Sequence, residues 1–338
     1  MALAAGFEDA QVVYGYLKGY YQDTTASASK SKLPINHAWC SVNIEGEYRM
    51  IDCWLASPFY PHNENKLESH WFLTRPIDMI MTHLPKKPLN QFLDPPVSPA
   101  AFFALPYVRN PFFWHRIQIL KYHMEPEGEG IFYVSLKMDS TNTSCYAETE
   151  GQDGTTLRGL AQCLTDDQDN QICKIKAVLP PQQTSGWLKV YAGQKPIPIH
   201  TNHHHQEVVN KTHYPLALCI RISYQQPRQE AFHFVQLYVD QNEFYIQEPQ
   251  CHQLYPLQTY HFCIKASRIA YRATHHKLAL KSPSGKLMKL MYSPQDQTYD
   301  GMVTISEAGK WSLICLLHQT GGSYTVASWL CKINKVFH

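Results

Sequence analysis

The sequence of 338 residues contains no long apolar run and almost no excess charge. It has no stretch of about 18 apolar residues, which excludes a transmembrane helix. There are 30 basic and 28 acidic residues, giving a net charge of +2. We therefore expect that the net charge of the chain attracts neither nucleic acid nor anionic lipid. The first nine residues have no basic region, so we expect no signal peptide.

Paired cysteines are also missing. The ten cysteines are spread singly, without a C-x-x-C pair, so no zinc ribbon or thioredoxin-type redox site is encoded. Several lie in apolar runs such as Leu218–Ile220, which is typical of buried, reduced cysteine. With no signal peptide expected, this pattern predicts a cytoplasmic protein, and we expect neither a bound metal nor a cofactor.

Short β-rich runs separated by turn residues fill the chain from about residue 114 to its end. Such spacing is typical of antiparallel sandwiches. A faint internal repeat supports two of them. A Gly-Trp segment at Gly186 and a Gly-Lys-Trp segment at Gly309 are each followed by a second apolar run. The sequence therefore predicts two sandwiches of roughly 110 residues each.

The first 114 residues differ in pattern from the β-rich remainder, with three predicted strands followed by a proline-rich stretch. Residues 11–21 read as a strand with glycine relief points, and residues 37–44 and 48–55 read as two strands joined by a turn at Glu45 and Gly46. Residues 1–6 are expected to be the last turn of a helix, stopped by Gly6. Seven prolines between residues 85 and 111 exclude regular helix and central strand there. We expect that stretch to be an extended arm packed on the domain.

The predicted hairpin brings two chemically useful side chains together. With an even-length turn, Cys40 faces Ile51 on an apolar face, while His37 lies opposite Trp54 on the other face with Asp52 at the diagonal position. Diagonal neighbours are about 7–8 Å apart, within reach of an imidazole–carboxylate hydrogen bond. Such a carboxylate fixes the histidine tautomer and leaves its other nitrogen free to act as a base for a nucleophile. The alternative is a buried His–Asp pair with a purely structural role.

These residues resemble a known family. A His37-Ala38-Trp39 strand, a short turn, and a second strand ending in Asp52 are similar to the transglutaminase-like superfamily, in the branch containing kyphoscoliosis peptidase and the fungal cytokinesis transglutaminase-like proteins. Further matching stretches lie upstream and downstream, at residues 5–20, 71–76, 82–85, 94–98 and 105–108. The resemblance covers nearly the whole chain, with its specific motifs in the first 110 residues.

The resemblance implies an α+β, mostly β architecture in three parts. Residues 1–112 would form a partial transglutaminase-like (papain-like) domain, and residues 113–226 and 227–338 would form two immunoglobulin-like β-sandwiches. His37 and Asp52 carry over as the histidine and aspartate of a Cys-His-Asp triad. The nucleophile does not carry over, because in the family it opens a helix before the strand at Gln11, and no cysteine precedes Cys40.

Two explanations for the missing nucleophile are open: a fragment or late-start gene model of a longer protein, or a family member that has lost the cysteine.

In the family, the helix that begins with the nucleophile also covers one side of the sheet. Without it, apolar side chains are expected to face water, namely those of Val12, Tyr14, Tyr16, Trp39 and Trp54.

The leading functional expectation is a non-catalytic interaction module in cytokinesis or septum assembly, with protein partners at the division site or cytoskeleton. One alternative is a cysteine peptidase or protein-glutamine transglutaminase whose nucleophile lies upstream of this chain. A second alternative is a cytoskeletal scaffold of the kyphoscoliosis-peptidase type.

Two further motifs are expected to be structural. The cluster of four histidines between His200 and His205 lacks the spacing of a closed metal site and reads as a surface loop inserted between the last two strands of the first sandwich. The Pro96-Val97-Ser98-Pro99 segment fits a P-x-x-P ligand pattern, but no basic residue flanks it.

Overall fold

Antiparallel strands make up most of the structure, a computed structural model that confirms the mostly β expectation. Its helices, within the described residues, are four to six residues long. Chain contacts divide the molecule into two units: Met1–Trp114 with Leu218–Ile220, and His115–Ala217 with Arg221–His338. The structure describes residues 6–7, 9–19, 34–61, 63, 65–122, 129–139, 142–166, 170–194, 214–238, 244–267, 277–316 and 322–332.

The first unit is built on an antiparallel sheet of five strands, β1 (Gln11–Leu17), β2 (His37–Ile44), β3 (Glu47–Ile51), β4 (Phe72–Thr74) and β5 (His83–Pro85). Their order across the sheet is β4-β3-β2-β1-β5. Cys40 pairs with Ile51 across the hairpin, which confirms the predicted register. The first strand ends earlier than predicted because the Asn36 side chain bonds both the N–H and the C=O of Leu17, at 2.7 and 3.1 Å. Residues 1–5 and 20–33, which include the predicted helical turn, lie outside the described part.

The two faces of this sheet differ sharply. One face buries Val13, Trp39 and Met50, which pack with side chains of the segments that follow β3. The other face presents apolar side chains to solvent, and Val12, Tyr14 and Phe72 are each more than half exposed. We call this surface the open face; it consists of Val12, Tyr14, Ala38, Cys40, Ile51 and Phe72.

The proline-rich arm packs against the end of β1, as predicted. The exclusion of helix from this stretch was wrong, because the arm contains a six-residue helix. Proline is tolerated in the first helical turn, and Pro99 occupies that place with Ser98 as the cap. Phe102 and Phe103 of this helix bury the ring of Tyr16. The helices of the unit are α1 (Cys53–Ala56), α2 (Pro76–Met79), α3 (Pro99–Ala104) and α4 (Asn110–Trp114), with 3-10 turns at Ser69–Trp71 and Pro88–Gln91. A short strand, β6 (Tyr107–Val108), pairs with Leu218 and Cys219.

The second unit contains four groups of paired strands. In chain order the strands are β7 (Gln118–Tyr122), β8 (Phe132–Met138), β9 (Thr143–Gly151), β10 (Thr156–Arg158), β11 (Leu160–Thr165), β12 (Gln171–Ala177), β13 (Ser185–Gln194), β14 (Leu216–Ser223), β15 (Gln236–Leu237), β16 (Phe244–Glu248), β17 (Gln253–Leu254), β18 (Thr259–Ala266), β19 (Lys277–Lys281), β20 (Leu287–Lys289), β21 (Met291–Ser293), β22 (Thr298–Thr304), β23 (Gly309–Leu316) and β24 (Ser323–Cys331). The middle of β14, Leu218–Ile220, is grouped with the first unit. The strand orders are β10-β9-β13-β14, β11-β12-β8-β7, β15-β24-β23-β19-β20 and β16-β18-β22-β21, and β17 runs parallel to β24. The two predicted repeat segments occupy corresponding strands. The first segment lies in β13, which pairs with β14, and the second lies in β23, which pairs with β24.

One apolar core runs through much of this unit. Trp311 and Trp329 are fully buried in it, and the ring of Phe262 meets Trp329 edge-on at 5.2 Å between centroids. The same core includes residues of β10 and β11. The buried Gln162 side chain donates to the carbonyl of Ile246 at 3.0 Å and accepts from its N–H at 2.8 Å, which ties β11 to β16.

None of the helices in the described part of the chain is long and apolar enough to span a bilayer.

Candidate functional site

Asp52 ends β3 and begins the first helix. Its Oδ1 accepts hydrogen bonds from the backbone N–H groups of Trp54 and Leu55, both at 2.9 Å, which is the geometry of a helix N-cap. The prediction that the second hairpin strand continues to Leu55 was therefore wrong: an aspartate satisfies the free N–H groups of a helical turn and so favours α1 at this point.

The second carboxylate oxygen of Asp52 binds two histidines. His37, the first residue of β2, places its Nε2 at 2.6 Å from Asp52 Oδ2. His83, the first residue of β5, places its Nε2 at 2.9 Å from the same oxygen. The structure therefore brings together the two residues singled out from the sequence and adds a third.

The role of His83 was missed in the sequence, where only His37 and Asp52 were singled out. It lies 31 residues from Asp52, and only the pairing of β5 with β1, in which Leu17 is the partner of His83, brings it to the site. Non-local strand pairing leaves no local signal. The matched motif at residues 82–85 was the nearest available indication.

The charges of this cluster follow from burial and hydrogen bonding. Burial alone would raise the pKa of Asp52, but hydrogen bonds from His37 and His83 and from the backbone of Leu55 outweigh it and hold the pKa well below its usual range. Burial lowers the pKa of the fully buried His83. Asp52 is thus an anion and His83 a neutral ring, which donates from Nε2 to Asp52 and accepts at Nδ1 from the Thr82 hydroxyl at 2.8 Å.

Aromatic rings hold the cluster in place. Trp39 and Trp71 meet the His83 ring edge-on, at 4.9 and 5.5 Å between centroids, and Trp39 stacks on His37 at 6.2 Å. These rings exclude water from Asp52, which has no exposed surface. His37 is the member of the cluster that reaches solvent, with 12% of its side chain exposed.

The arrangement supplies an oriented base but no nucleophile among the residues described. No described group is hydrogen-bonded to His37 Nδ1, and no described thiol contacts this ring. Cys40 and Cys53 are exposed, and Cys40 belongs to the open face, on the side of β2 opposite to His37. Partial burial, then the neighbouring Cys53 and Asp52, raise the pKa of Cys40, whereas an activated thiol has a lowered pKa.

The three side chains of the cluster also place potential metal-ligand atoms within 4.8 Å of one another. The side chains of Asp52 and His83 have no exposed surface, so an ion from solvent has no direct access to these atoms, whose Nε2–Oδ2 hydrogen bonds of 2.6 and 2.9 Å hold the cluster together.

The two other sequence motifs were expected to have structural roles. The histidines of residues 200–205 lie outside the described residues. In the P-x-x-P segment, the Gln91 side chain bonds the backbone N–H and C=O of Val97 at 2.7 and 2.9 Å, and Ser98 caps α3. That segment is held as part of the fold, in line with the structural interpretation.

The expected exposure of apolar residues was right for some positions and wrong for others. Val12, Tyr14 and Trp54 are exposed, as expected, but Tyr16 and Trp39 are buried. Trp39 belongs to the opposite face of β2 because side chains alternate along a strand, and α3 covers Tyr16.

The last sandwich defines a recognisable class of domain. Residues 237–331 match a protein-family model described as the CYK3 C-terminal Ig-like domain, so this part of the chain is an immunoglobulin-like domain.

The whole chain is similar to two fungal proteins. It is 25% identical over 355 aligned positions to cytokinesis protein 3 of Schizosaccharomyces pombe, covering 94% of this chain and 37% of that protein. It is 26% identical over 357 positions to Cytokinesis protein 3 of Saccharomyces cerevisiae, covering 95% of this chain and 39% of that protein. The chain thus spans less than two fifths of the length of these relatives.

Proposed function

We propose that this chain is a protein-binding region of a cytokinesis protein, acting at the division site without thiol catalysis of its own. The similarity to two yeast cytokinesis proteins supports the cellular role and favours it over a muscle-type cytoskeletal scaffold. The first 112 residues are, in this proposal, a transglutaminase-like domain, because the His37–Asp52 hydrogen bond of 2.6 Å has the geometry that the resemblance requires.

The open face is the observation that carries the binding role. Val12 pairs with Cys40, and Cys40 pairs with Ile51, which in turn pairs with Phe72. One apolar row therefore crosses four strands of the sheet. Exposed contiguous apolar surfaces of this kind mark interaction sites or aggregation liabilities. The proposed occupant is an apolar segment of a division-site protein.

The open face and the histidine cluster lie on opposite sides of the sheet. His37 and Trp39 project to one side of β2, whereas Ala38 and Cys40 project to the other. A segment bound to the open face therefore leaves the His37 ring untouched. Binding and any chemistry at His37 are separable by mutation.

The lack of catalysis can be tested directly on the purified chain. We expect no iodoacetamide-sensitive peptide hydrolysis and no incorporation of a primary amine into a glutamine substrate, with equal background for the natural chain and His37→Ala. Thiol-dependent turnover above the His37→Ala background would contradict the proposal.

A second candidate is a peptidase or transglutaminase whose nucleophilic cysteine comes from a part of the protein outside this chain. The observation that favours it is the intact His37–Asp52 pair, with His37 Nδ1 not bonded to any described residue. A longer form of the protein that supplies a cysteine at the start of a helix would then show turnover, and His37→Ala would abolish it.

A further inference from the structure

The solvent face of the last sandwich carries a cluster of mixed donor groups that the proposed function does not use. On β18, His261 and Cys263 are two residues apart and point to the same side of the sheet. Cys263 pairs with Asp300 of β22 on one flank and with Glu248 of β16 on the other. Three adjacent strands therefore contribute to a single patch, which lies within residues 237–331.

The donor atoms of this patch are already close enough to share an ion. One ligand atom from each of His261, Cys263 and Asp300 lies within 4.8 Å of the others. His261 Nε2 is 2.5 Å from Asp300 Oδ2, and His261 Nδ1 is 3.3 Å from Glu248 Oε2. Each nitrogen of one imidazole thus faces a carboxylate, and a thiol stands two residues away.

This is the arrangement of a histidine metal ligand held by an outer carboxylate. Metal-bound histidines regularly donate their second ring N–H to a carboxylate, which fixes the tautomer and the ring orientation. Here Glu248 is the outer carboxylate at His261 Nδ1, while His261 Nε2 points toward Asp300. A mixture of nitrogen, sulfur and oxygen donors suits Zn²⁺ and related transition ions, whereas Ca²⁺ and Mg²⁺ prefer oxygen alone.

We propose that His261 Nε2, Cys263 Sγ and Asp300 Oδ2 form a binding site for a divalent transition ion of the Zn²⁺ type, with Glu248 as the positioning residue. The ion enters between Nε2 and Asp300, and Cys263 exchanges its contact with Gln247 Oε1, now at 2.9 Å, for the metal. The thiol proton and the proton on Nε2 are released to water. Three protein ligands leave a fourth position for water or for a ligand from a partner.

The test uses Co²⁺ added to the full 338-residue chain, because a thiolate–Co²⁺ bond gives a near-ultraviolet charge-transfer band that histidine-only binding does not give. We expect a saturable band that Zn²⁺ displaces. Cys263→Ser should remove the band, whereas Cys53→Ser, which alters an exposed thiol of the first unit, should leave it unchanged. Absence of the band in the natural chain, its persistence in Cys263→Ser, or its loss in Cys53→Ser would each overturn the proposal.

The two carboxylates have different expected effects. Glu248→Gln should keep the band but weaken Co²⁺ affinity by about 10–100-fold, the usual effect of losing an outer carboxylate. Asp300→Asn should weaken it further. His261→Gln provides a second ligand variant should Cys263→Ser fail to fold, and it should also remove the saturable band. Affinities unchanged in Glu248→Gln and Asp300→Asn would contradict the assigned ligand set.

Discussion

At the scale of single residues, Asp52 connects the local fold to the site. One of its oxygens caps α1 through two backbone N–H groups, and the other accepts from His37 and His83. A buried carboxylate is stable only when such bonds replace its hydration. The same residue therefore ends a strand, starts a helix and orients a histidine.

The first prediction concerns Asp52→Asn. The folded-state pKa of Asp52 lies below its unfolded value near 4, so its charge stabilises the fold above about pH 4 and loses this effect as the pH falls below that value. We expect the substitution to lower the unfolding free energy by about 2–4 kcal/mol near pH 7, and by less near pH 3. Denaturant unfolding at both pH values measures this, with the surface variant Asp78→Asn as a control that should change stability by less than about 1 kcal/mol. An equal loss at both pH values would contradict the assigned charge.

His70 gives a second prediction at this scale. Burial lowers the pKa of His70 to about 4, its ring stacks on Phe113 at 3.9 Å between centroids, and its Nε2 has no hydrogen-bond partner. Since the unfolded chain takes up a proton on this residue near pH 6.5, the first unit should lose about 3 kcal/mol of stability as the pH falls from 6.5 to 4. His70→Phe keeps the stacked ring and should make the pH dependence of unfolding shallower across that range. An unchanged slope would show that His70 takes up its proton at the same pH in the folded and the unfolded chain, and would contradict the lowered pKa.

At the scale of elements, β1 is held unusually closely between its two neighbours. A Cβ on Gly15 would lie 2.3 Å from the Leu84 carbonyl oxygen and 2.6 Å from the Trp39 ring. Gly15 is also the pairing partner of His37. The missing side chain therefore lets β5 approach β1 and bring His83 to Asp52.

Gly15→Ala should consequently disturb both the sheet and the cluster. We expect a loss of about 2–3 kcal/mol in unfolding free energy, because the neighbours in contact are largely backbone and a buried ring. The matched control is Gly46→Asn in the hairpin turn, where φ is +87° and a side chain meets nothing within 4 Å. Asparagine tolerates that conformation, so this control should lose no more than about 1 kcal/mol. Equal effects at the two glycines in thermal or denaturant unfolding would contradict the close approach.

The elements also show where sequence reasoning succeeds and where it fails. The hairpin register was predictable because an even turn segregates residues by alternation, and His37 and Asp52 followed from it. The end of β3 was not predictable, because the helix cap formed by Asp52 competes with further strand pairing. The place of His83 was also beyond reach, because it depends on the pairing of β1 with β5 over a long sequence separation. Alternation alone could not show which face of the sheet would be covered.

At the scale of the whole molecule, the second unit shares one core across both of its predicted sandwiches. Residues Leu157, Leu160 and Val178 join the cluster that contains Trp311 and Trp329. Gln162 adds two buried hydrogen bonds to the backbone of Ile246. The parts on either side of residue 226 are therefore expected to unfold together.

Residues 115–338 expressed alone should accordingly show a single cooperative transition. Gln162→Ala removes the acceptor of the Ile246 N–H, while the Ile246 carbonyl still accepts from Gln250 Nε2 at 2.8 Å. The substitution should therefore lower the stability of that entire transition by about 1–3 kcal/mol. Calorimetry measures both effects. Two separate transitions, of which Gln162→Ala shifts only one, would show that the sandwiches unfold independently.

The most direct test of the proposed function separates the open face from the histidine cluster in living cells. The natural gene is replaced by variants carrying Val12→Asp with Tyr14→Asp on the open face, or His37→Gln in the cluster, each tagged with a fluorescent protein. Recruitment to the division site and the time to complete cytokinesis are then measured, at matched protein levels. We predict that the open-face variant is lost from the division site and delays cytokinesis, while His37→Gln behaves like the natural protein. Normal behaviour of the open-face variant together with failure of His37→Gln would contradict a binding role and favour catalysis.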